Sequence, residues 1–264
     1  MMKPEESSLL AVERQRIILE ILDREGVVRN AELKELLSVT AATIRSDLRE
    51  LENAGYCEII WGGAVSKRPH MAGSERFLFE RSKLNPEHKR RIGKRAAQLV
   101  EVGQTIIVDA GSTTVELIRH LPRDLEYLRV VTPALNVAAA AAHFPSIELV
   151  MTGGILRHLT WSLIGPQVVR ALDIINADWA FLACGGFNME QGMTTSNMLE
   201  VEIKYTMLKR AARAALLADS SKFNQTRSLT VAPLHELDVL ITDTGLRDAD
   251  AARIAEYGIE VIRV

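Results

Sequence analysis

Two groups of residues in this 264-residue chain have types and spacings suited to a particular chemistry. The first is Thr40-Ala41-Ala42-Thr43-Ile44-Arg45-Ser46-Asp47-Leu48-Arg49. On a helix with about 100° between residues, Ala42, Ser46 and Arg49 fall opposite Ile44, with Thr43 and Arg45 on the flanks. That narrow face offers hydroxyl and guanidinium donors and no bulk near the helix start, the profile of a helix that enters a DNA major groove. The second group is Asp109-Ala110-Gly111-Ser112-Thr113-Thr114. Here Gly111 permits close backbone approach, and the amides and hydroxyls that follow can cradle an anion at the start of a helix. The loop is neither a Walker sequence nor a GxGxxG, so a phosphate monoester suits it better than a nucleotide. Capping of the helix by Ser112 is the plainer alternative.

Further residues fit the same ligand. Asp219-Ser220-Ser221-Lys222 supplies a carboxylate for sugar hydroxyls and an ammonium for phosphate. Gly153-Gly154 and Gly185-Gly186 each follow a strand-like run, where bare backbone can line a pocket, although any one pair is also what a turn needs. Glu200 and Lys204 stand four residues apart in the favourable order, and a surface salt bridge is their default reading. Together these groups suit a small phosphorylated polyol or sugar.

Helices must position the first group. Thr40 is a suitable N-cap for the donor-bearing helix, whose inner face is Ala41, Ile44, Leu48 and Leu51. Before it, Asn30 is expected to cap a shorter helix with Ala31, Leu33, Leu36 and Leu37 inward, and Ser38-Val39 makes the turn. An earlier helix carries Ile17, Ile18, Ile21 and Leu22 and stops at Gly26, while Gly55 ends the donor-bearing helix. Residues 56–61 and 64–65 then form two short strands around Gly62-Gly63. Three helices and a β-wing within residues 1–66 define a winged helix-turn-helix. Its candidate DNA-contact residues are Thr40, Ala42, Thr43, Arg45, Ser46 and Arg49.

Alternating strands and helices must position the second group. Residues 67–85, with Pro69 and Gly73 and no periodicity, are expected to form a basic linker to a second domain at 86–264. Apolar strand-like runs at 105–108, 129–132, 147–151, 179–183, 214–218, 239–243 and 260–263 alternate with helical patterns at 86–100, 113–121, 134–143, 165–175, 198–213 and 248–257. That alternation predicts an α/β domain with a mainly parallel sheet covered on both faces, and ligands bind beyond the carboxyl ends of such strands.

Composition narrows the classes. A hydrophobic content of 47% supports a substantial core, and no uncharged apolar run reaches the roughly 18 residues of a membrane span. The opening MMKPEESSLLAVERQ has no apolar core of signal-peptide length. Cys57 and Cys184 are far apart without CxxC spacing, and the six histidines form no HxxxH pair, so neither a disulfide framework nor a metal site is expected. A cytoplasmic protein without a cofactor fits. The net charge of −2 conceals an asymmetry: residues 67–95 hold 10 basic and 3 acidic side chains, whereas residues 1–66 hold 8 and 12. A DNA reader on an acidic module must cluster its cations on one face.

In its ordered motifs the chain resembles the DeoR family of bacterial transcriptional regulators, from about Glu13 to Val264. LSVTAATIRSDLRELENAG is similar to the family's recognition-helix signature and WGGAV to its wing. KRRIGKRAAQLV, VDAGSTT, TGGIL, Gly165-Pro166, DWAFLACGGF, EVEIK and LLADSSKF follow in the family's order. The resemblance implies a sensor domain similar to ribose-5-phosphate isomerase that takes a sugar phosphate, with Asp109, Gly111, Ser112, Thr113, Thr114, Glu200, Lys204, Asp219 and Lys222 at its pocket. Two stretches depart from the family: Ser46 stands where a second arginine is usual, and Glu58-Ile59-Ile60-Trp61 replaces basic residues and a histidine before the wing glycines. The expected function is a DNA-binding transcriptional regulator, a repressor of a sugar or polyol catabolic operon. It would act as a homodimer or homotetramer on operator DNA, gated by a phosphorylated sugar. The alternative is a sugar-phosphate isomerase-like enzyme with an appended DNA-binding module, using Asp109, Glu200 or Asp219 as a base.

Overall fold

The computed structural model describes residues 10–25, 27–66 and 78–264. The chain divides into two compact units, Met1–Ser74 and Glu75–Val264. The helix stop expected at Gly26 and residues 67–77 of the expected 67–85 linker lie outside the described residues, whereas Leu78–Lys83, also expected as linker, form a helix of the second unit.

In the first unit, helices α1 (Ala11–Glu25), α2 (Asn30–Leu37) and α3 (Ala41–Asn53) pack on a small antiparallel sheet. Its strands are β1 (Val27–Arg29), β2 (Cys57–Ile60) and β3 (Gly63–Ser66), in the order β1-β3-β2. Helical periodicity sends Ile18, Leu22, Leu33, Leu37, Ile44, Leu48 and Leu51 into one core with Val28, Cys57 and Ala64. α3 ends in a Schellman motif, in which Gly55 at φ +82° donates to the Glu52 carbonyl and Tyr56 to the Leu51 carbonyl, each at 2.9 Å. Two expectations fail here. Ala31 and Leu36, both expected inward, are exposed, Leu36 at 62%, because Leu33 and Leu37 already fill the inward stripe of a helix only two turns long. Asn30 is the first helical residue rather than the cap; Arg29 occupies the cap position, and the Asn30 Oδ1 is buried without a partner. The short strand β1, pairing Val27 with Val65 and Arg29 with Gly63, was not anticipated from so few residues.

The second unit is built on a seven-stranded parallel sheet of order β15-β14-β12-β9-β4-β5-β6. These strands are β4 (Thr105–Val108), β5 (Leu128–Thr132), β6 (Ile147–Met151), β9 (Ala177–Leu182), β12 (Ala211–Leu217), β14 (Val239–Thr242) and β15 (Glu260–Arg263). The remaining strands are β7 (Ile155–Arg157) with β8 (Ser162–Ile164) in a hairpin, and β10 (Gly186–Asn188), β11 (Gly192–Thr195) and β13 (Leu229–Ala232) in a small antiparallel sheet. The helices are α4 (Leu78–Lys83), α5 (Pro86–Ala97), α6 (Thr114–Arg119), α7 (Leu135–Ala141), α8 (Pro166–Asp173), α9 (Met198–Lys209) and α10 (Asp248–Ala255).

Alternation along the strands divides the core into two layers. Trp179, Phe181, Ala215, Leu217, Val239 and Ile241 point to one face, where Ile92 of α5, Leu117 of α6 and Val137 of α7 cover them. Ala180, Leu182, Ala214, Leu216 and Leu240 point to the other, covered by Leu172 of α8, Met207 of α9 and Ile254 of α10. The central strands β4, β9, β12 and β14 are thus apolar on both sides along their buried residues, which is why those runs read as continuous hydrophobic stretches, whereas the edge strands β6 and β15 are only partly buried. The helical pattern expected over 198–213 ends at Lys209. Ala211 and Arg213 pair instead with Ala177 and Trp179 of β9, so strand pairing overrides the helix propensity of alanine and arginine. Chain order runs outward from β4 in both directions, to β5 and β6 on one side and to β9, β12, β14 and β15 on the other. β4 and β9 therefore flank the switch point at which open α/β sheets form a crevice.

Candidate functional site

The first unit presents a candidate nucleic-acid interface on α3. The Thr40 hydroxyl accepts from the Thr43 amide at 3.1 Å and lies 2.8 Å from the Thr43 hydroxyl, fixing the helix start. Ala42, Arg45, Ser46 and Arg49 are exposed, and Thr43 is half-buried. The Arg45 Nε donates to the Ala41 carbonyl at 3.2 Å. On the inner side Asp47 is buried, and Arg14 of α1 grips it through Nε at 2.8 Å and Nη2 at 3.0 Å. The C-terminal end of α3 holds the wing, since the Glu52 Oε1 accepts from the Ile59 amide at 2.7 Å. The wing turn is Trp61-Gly62, and Trp61 is fully exposed.

The second unit holds a small cleft beyond the strand ends, partly open to solvent. Arg81, Lys89, Ser112, Thr113, Ala183, Cys184, Leu217, Ala218, Asp219 and Lys222 line it. Ser112 and Thr113 come from the loop after β4, Ala183 and Cys184 from the end of β9, and Asp219 and Lys222 from the end of β12. Gly111 lets the first two loops meet, because a Cβ there would lie 2.9 Å from both the Ala183 Cβ and the Thr114 hydroxyl. Thr113, not Ser112, stands at the cap position of α6, and it makes no side-chain capping bond.

Asp109 forms the wall behind Ala183. Its Oδ1 accepts from the Ala110 amide at 2.7 Å, and its Oδ2 from the Ala183 amide at 2.9 Å and from the Lys204 ammonium. Lys204 also donates to the Ala183 carbonyl at 2.9 Å. Burial drives the Lys204 pKa down, but the Asp109 and Glu200 carboxylates outweigh it and hold the ammonium above its ordinary value. Thr114 is buried and donates to the Asp109 carbonyl at 2.7 Å.

The i,i+4 salt bridge between Glu200 and Lys204 gives way to other partners, and both side chains are buried rather than on the surface. Glu200 accepts from the Thr195 hydroxyl at 2.9 Å and from Arg157 at 3.2 Å, beside the β7–β8 hairpin. Glu200 is not among the lining residues. Nor are Gly153 and Gly154, which adopt φ +67° and +120° in the turn after β6.

At the cleft itself, the Asp219 Oδ1 accepts from the Ser221 amide at 3.2 Å, the Ser221 hydroxyl and the Asn85 amide group at 3.3 Å. Burial, and then the Arg81 charge, push the Lys222 pKa down. Lys89 is 5% exposed, and burial lowers its pKa to about 8. Cys184 is pushed up to about 11 by burial, so its thiol is neutral.

Sequence reasoning missed Arg81 and Lys89 as lining residues. Lys89 had a signal: with Ile92, Gly93 and Ala96 it occupies the inward stripe of α5, a place no solvated lysine takes. Arg81 had none, since its helix has only six residues. Among the described residues, no group of three or more His, Cys, Asp or Glu side chains is arranged to hold a metal ion, and no helix is long and apolar enough to cross a membrane.

A winged helix with an exposed donor face, followed by an α/β domain with a cationic cleft, is the build of a DNA-binding transcriptional regulator with a sensor domain. Family comparison agrees: residues 14–70 match a DeoR-like helix-turn-helix domain and residues 84–244 a DeoR C-terminal sensor domain. A regulator from Bacillus subtilis, the uncharacterized HTH-type transcriptional regulator YulB, is 35% identical over 97% of this chain and 98% of its own. The HTH-type transcriptional regulator GlpR from Haloferax volcanii is 37% identical over 96% and 98%. Ribose 5-phosphate isomerase A from Neisseria gonorrhoeae matches at 14% identity over 53% of this chain and 54% of that one, with a TM-score of 0.37. The chain belongs to the DeoR family of transcriptional regulators.

Proposed function

We propose that this regulator represses a sugar or polyol catabolic operon and is released from, or retained on, its operator by a phosphorylated sugar bound in the cleft. The observation that carries this reading is the convergence of Arg81, Lys89 and Lys222 on one small cleft that Ser112 and Thr113 also line, with Asp219 as its carboxylate. Cations gathered in a partly sheltered cleft favour an anion of matching charge, and a phosphate monoester carries about −1.5 to −2 at neutral pH. In this reading Ser112, Thr113, Asp219 and Lys222 contact the ligand, while Asp109, Gly111, Thr114 and Lys204 hold the wall on which it rests. Glu200, Gly153 and Gly154 support the neighbouring loops.

Thr40, Ala42, Thr43, Arg45, Ser46 and Arg49 form the DNA-reading face, and the regulator works in the cytoplasm as a homodimer or homotetramer, because two recognition helices span successive half-sites. Fluorescence anisotropy on the DNA upstream of its own gene tests both halves. A panel of sugar phosphates should contain one that changes the affinity; equal affinity with every member would defeat the gating reading. The enzymatic alternative finds less support, since Asp109 and Glu200 are committed to Lys204 and Arg157. Turnover of ribose 5-phosphate that disappears in Asp219→Asn would revive it.

A further inference from the structure

α4 is the first described element of the second unit, and residues 67–77 join it to the winged helix. It is a six-residue helix, well below the ~12–15 residues that hold a helix alone in water. Of its apolar side chains Leu78 is buried, whereas Phe79 is exposed. Hydrogen bonds and charges must therefore supply much of what keeps it in place. The Leu78 amide donates to the Leu159 carbonyl at 2.9 Å. At the other end the Lys89 ammonium, reaching from α5, donates to the carbonyls of Arg81 and Leu84. An ammonium has three N–H donors, so one remains for an anion in the cleft that Lys89 lines. The Arg81 side chain enters the same cleft from α4 itself.

We propose that Arg81 and Lys89 are effector-contact residues that tie α4 to the bound anion, so that filling the cleft clamps the element attached to the winged-helix linker. This rests on the reading of the cleft as a phosphate site and adds the route by which occupancy reaches the linker. The charge balance supports it. Lys89 and Lys222 each lie within reach of the Arg81 charge and of one another, with Asp219 as the lining carboxylate, so a phosphate dianion among them would offset this repulsion. Differential stability of α4 between the filled and empty states is the bias that an effector-gated switch requires.

The test uses the full chain and inorganic phosphate at tens of millimolar, against chloride at equal ionic strength. Thermal shift reports binding, and amide hydrogen exchange of peptides covering 78–84 reports the clamp, with α10 as the control segment. Phosphate should raise Tm and slow exchange at 78–84 several-fold while leaving α10 unchanged. In Arg81→Met the thermal shift should shrink but persist, the slowing at 78–84 should vanish, and Arg81→Lys should restore part of it. A Tm rise in the unmodified protein without slowing at 78–84 would overturn the clamp and leave the phosphate site standing. Full slowing in Arg81→Met would remove Arg81 from the route. Neither a Tm rise nor slowing would overturn both the clamp and the phosphate reading beneath it.

Discussion

The ammonium of Lys204 on α9 meets the carboxylate of Asp109 at the end of β4, and both groups are buried. Their pairing bridges residues 95 positions apart and binds the loops after β4 and β9 to one helix. Breaking such a pair by removing one partner leaves an uncompensated buried charge, at a cost of about 3–5 kcal/mol. Asp109→Asn and Lys204→Met are each expected to lower the Tm of the second unit sharply. The double variant Asp109→Leu/Lys204→Met should recover part of the loss. A single variant that melts with the unmodified protein would refute the pair as a structural element.

A similar test applies to the recognition helix. Asp47 faces inward against Arg14, so its role is to fix α3 on α1 rather than to meet DNA. Arg14→Ala is expected to destabilise the first unit by about 2 kcal/mol, the scale of hydrogen bonds to a charged group. Circular dichroism of residues 1–66 during denaturation, compared with the full chain, would show it.

On the exposed face, Arg45→Ala and Arg49→Ala should each weaken operator binding. Where the lost partner is a phosphate, the slope of log affinity against log salt should fall by about 1. Ser46→Arg should steepen that slope, because it adds a guanidinium to the exposed face. An unchanged slope in all three variants would place the contact face elsewhere.

Lys222→Ala should leave operator affinity intact and blunt the response to the sugar phosphate. The residue lines the cleft of the second unit, whereas the proposed DNA-reading face belongs to the first. Loss of DNA binding in this variant would instead mark Lys222 as structural.

Lys89 makes effector binding pH-dependent. Burial holds its pKa near 8, below its ordinary 10.5, with Asp219 and Glu116 opposing the shift and Lys222 and Arg81 adding to it. The folded protein therefore loses this proton earlier than the unfolded chain. The penalty for a charged buried Lys89 is present in full below about 8 and is relieved as pH rises toward 10.5. A bound dianion favours the protonated form, so affinity should fall as pH climbs through 8, and binding near that pH should take up a proton. Calorimetry in two buffers of different ionisation enthalpy measures the uptake. Lys89→Met should abolish it while Lys222 still binds; uptake that survives in Lys89→Met would assign the proton to another group.

Much of this architecture follows from local rules that the sequence states directly. The 3.6-residue period of Ile44, Leu48 and Leu51 leaves Ala42, Ser46 and Arg49 outside, and that face is exposed in the structure. Apolar runs at 105–108 and 239–243 announce strands buried on both faces, and the residues at their carboxyl ends mark where a ligand can sit. The local sequence cannot say which distant groups will share one buried space. Lys204 chose Asp109 over its helical neighbour Glu200, because burial makes the partner at the end of β4 worth more than a solvated i,i+4 contact. Arg81 and Lys89, more than 100 residues before Asp219 and Lys222, reach the same cleft only once the sheet order around β4 is set. Periodicity and capping act within a turn or two of chain, so the sequence by itself determined the elements and their faces. Charge pairing and cleft formation depend on through-space distance and exclusion of water, and those only the tertiary structure decided.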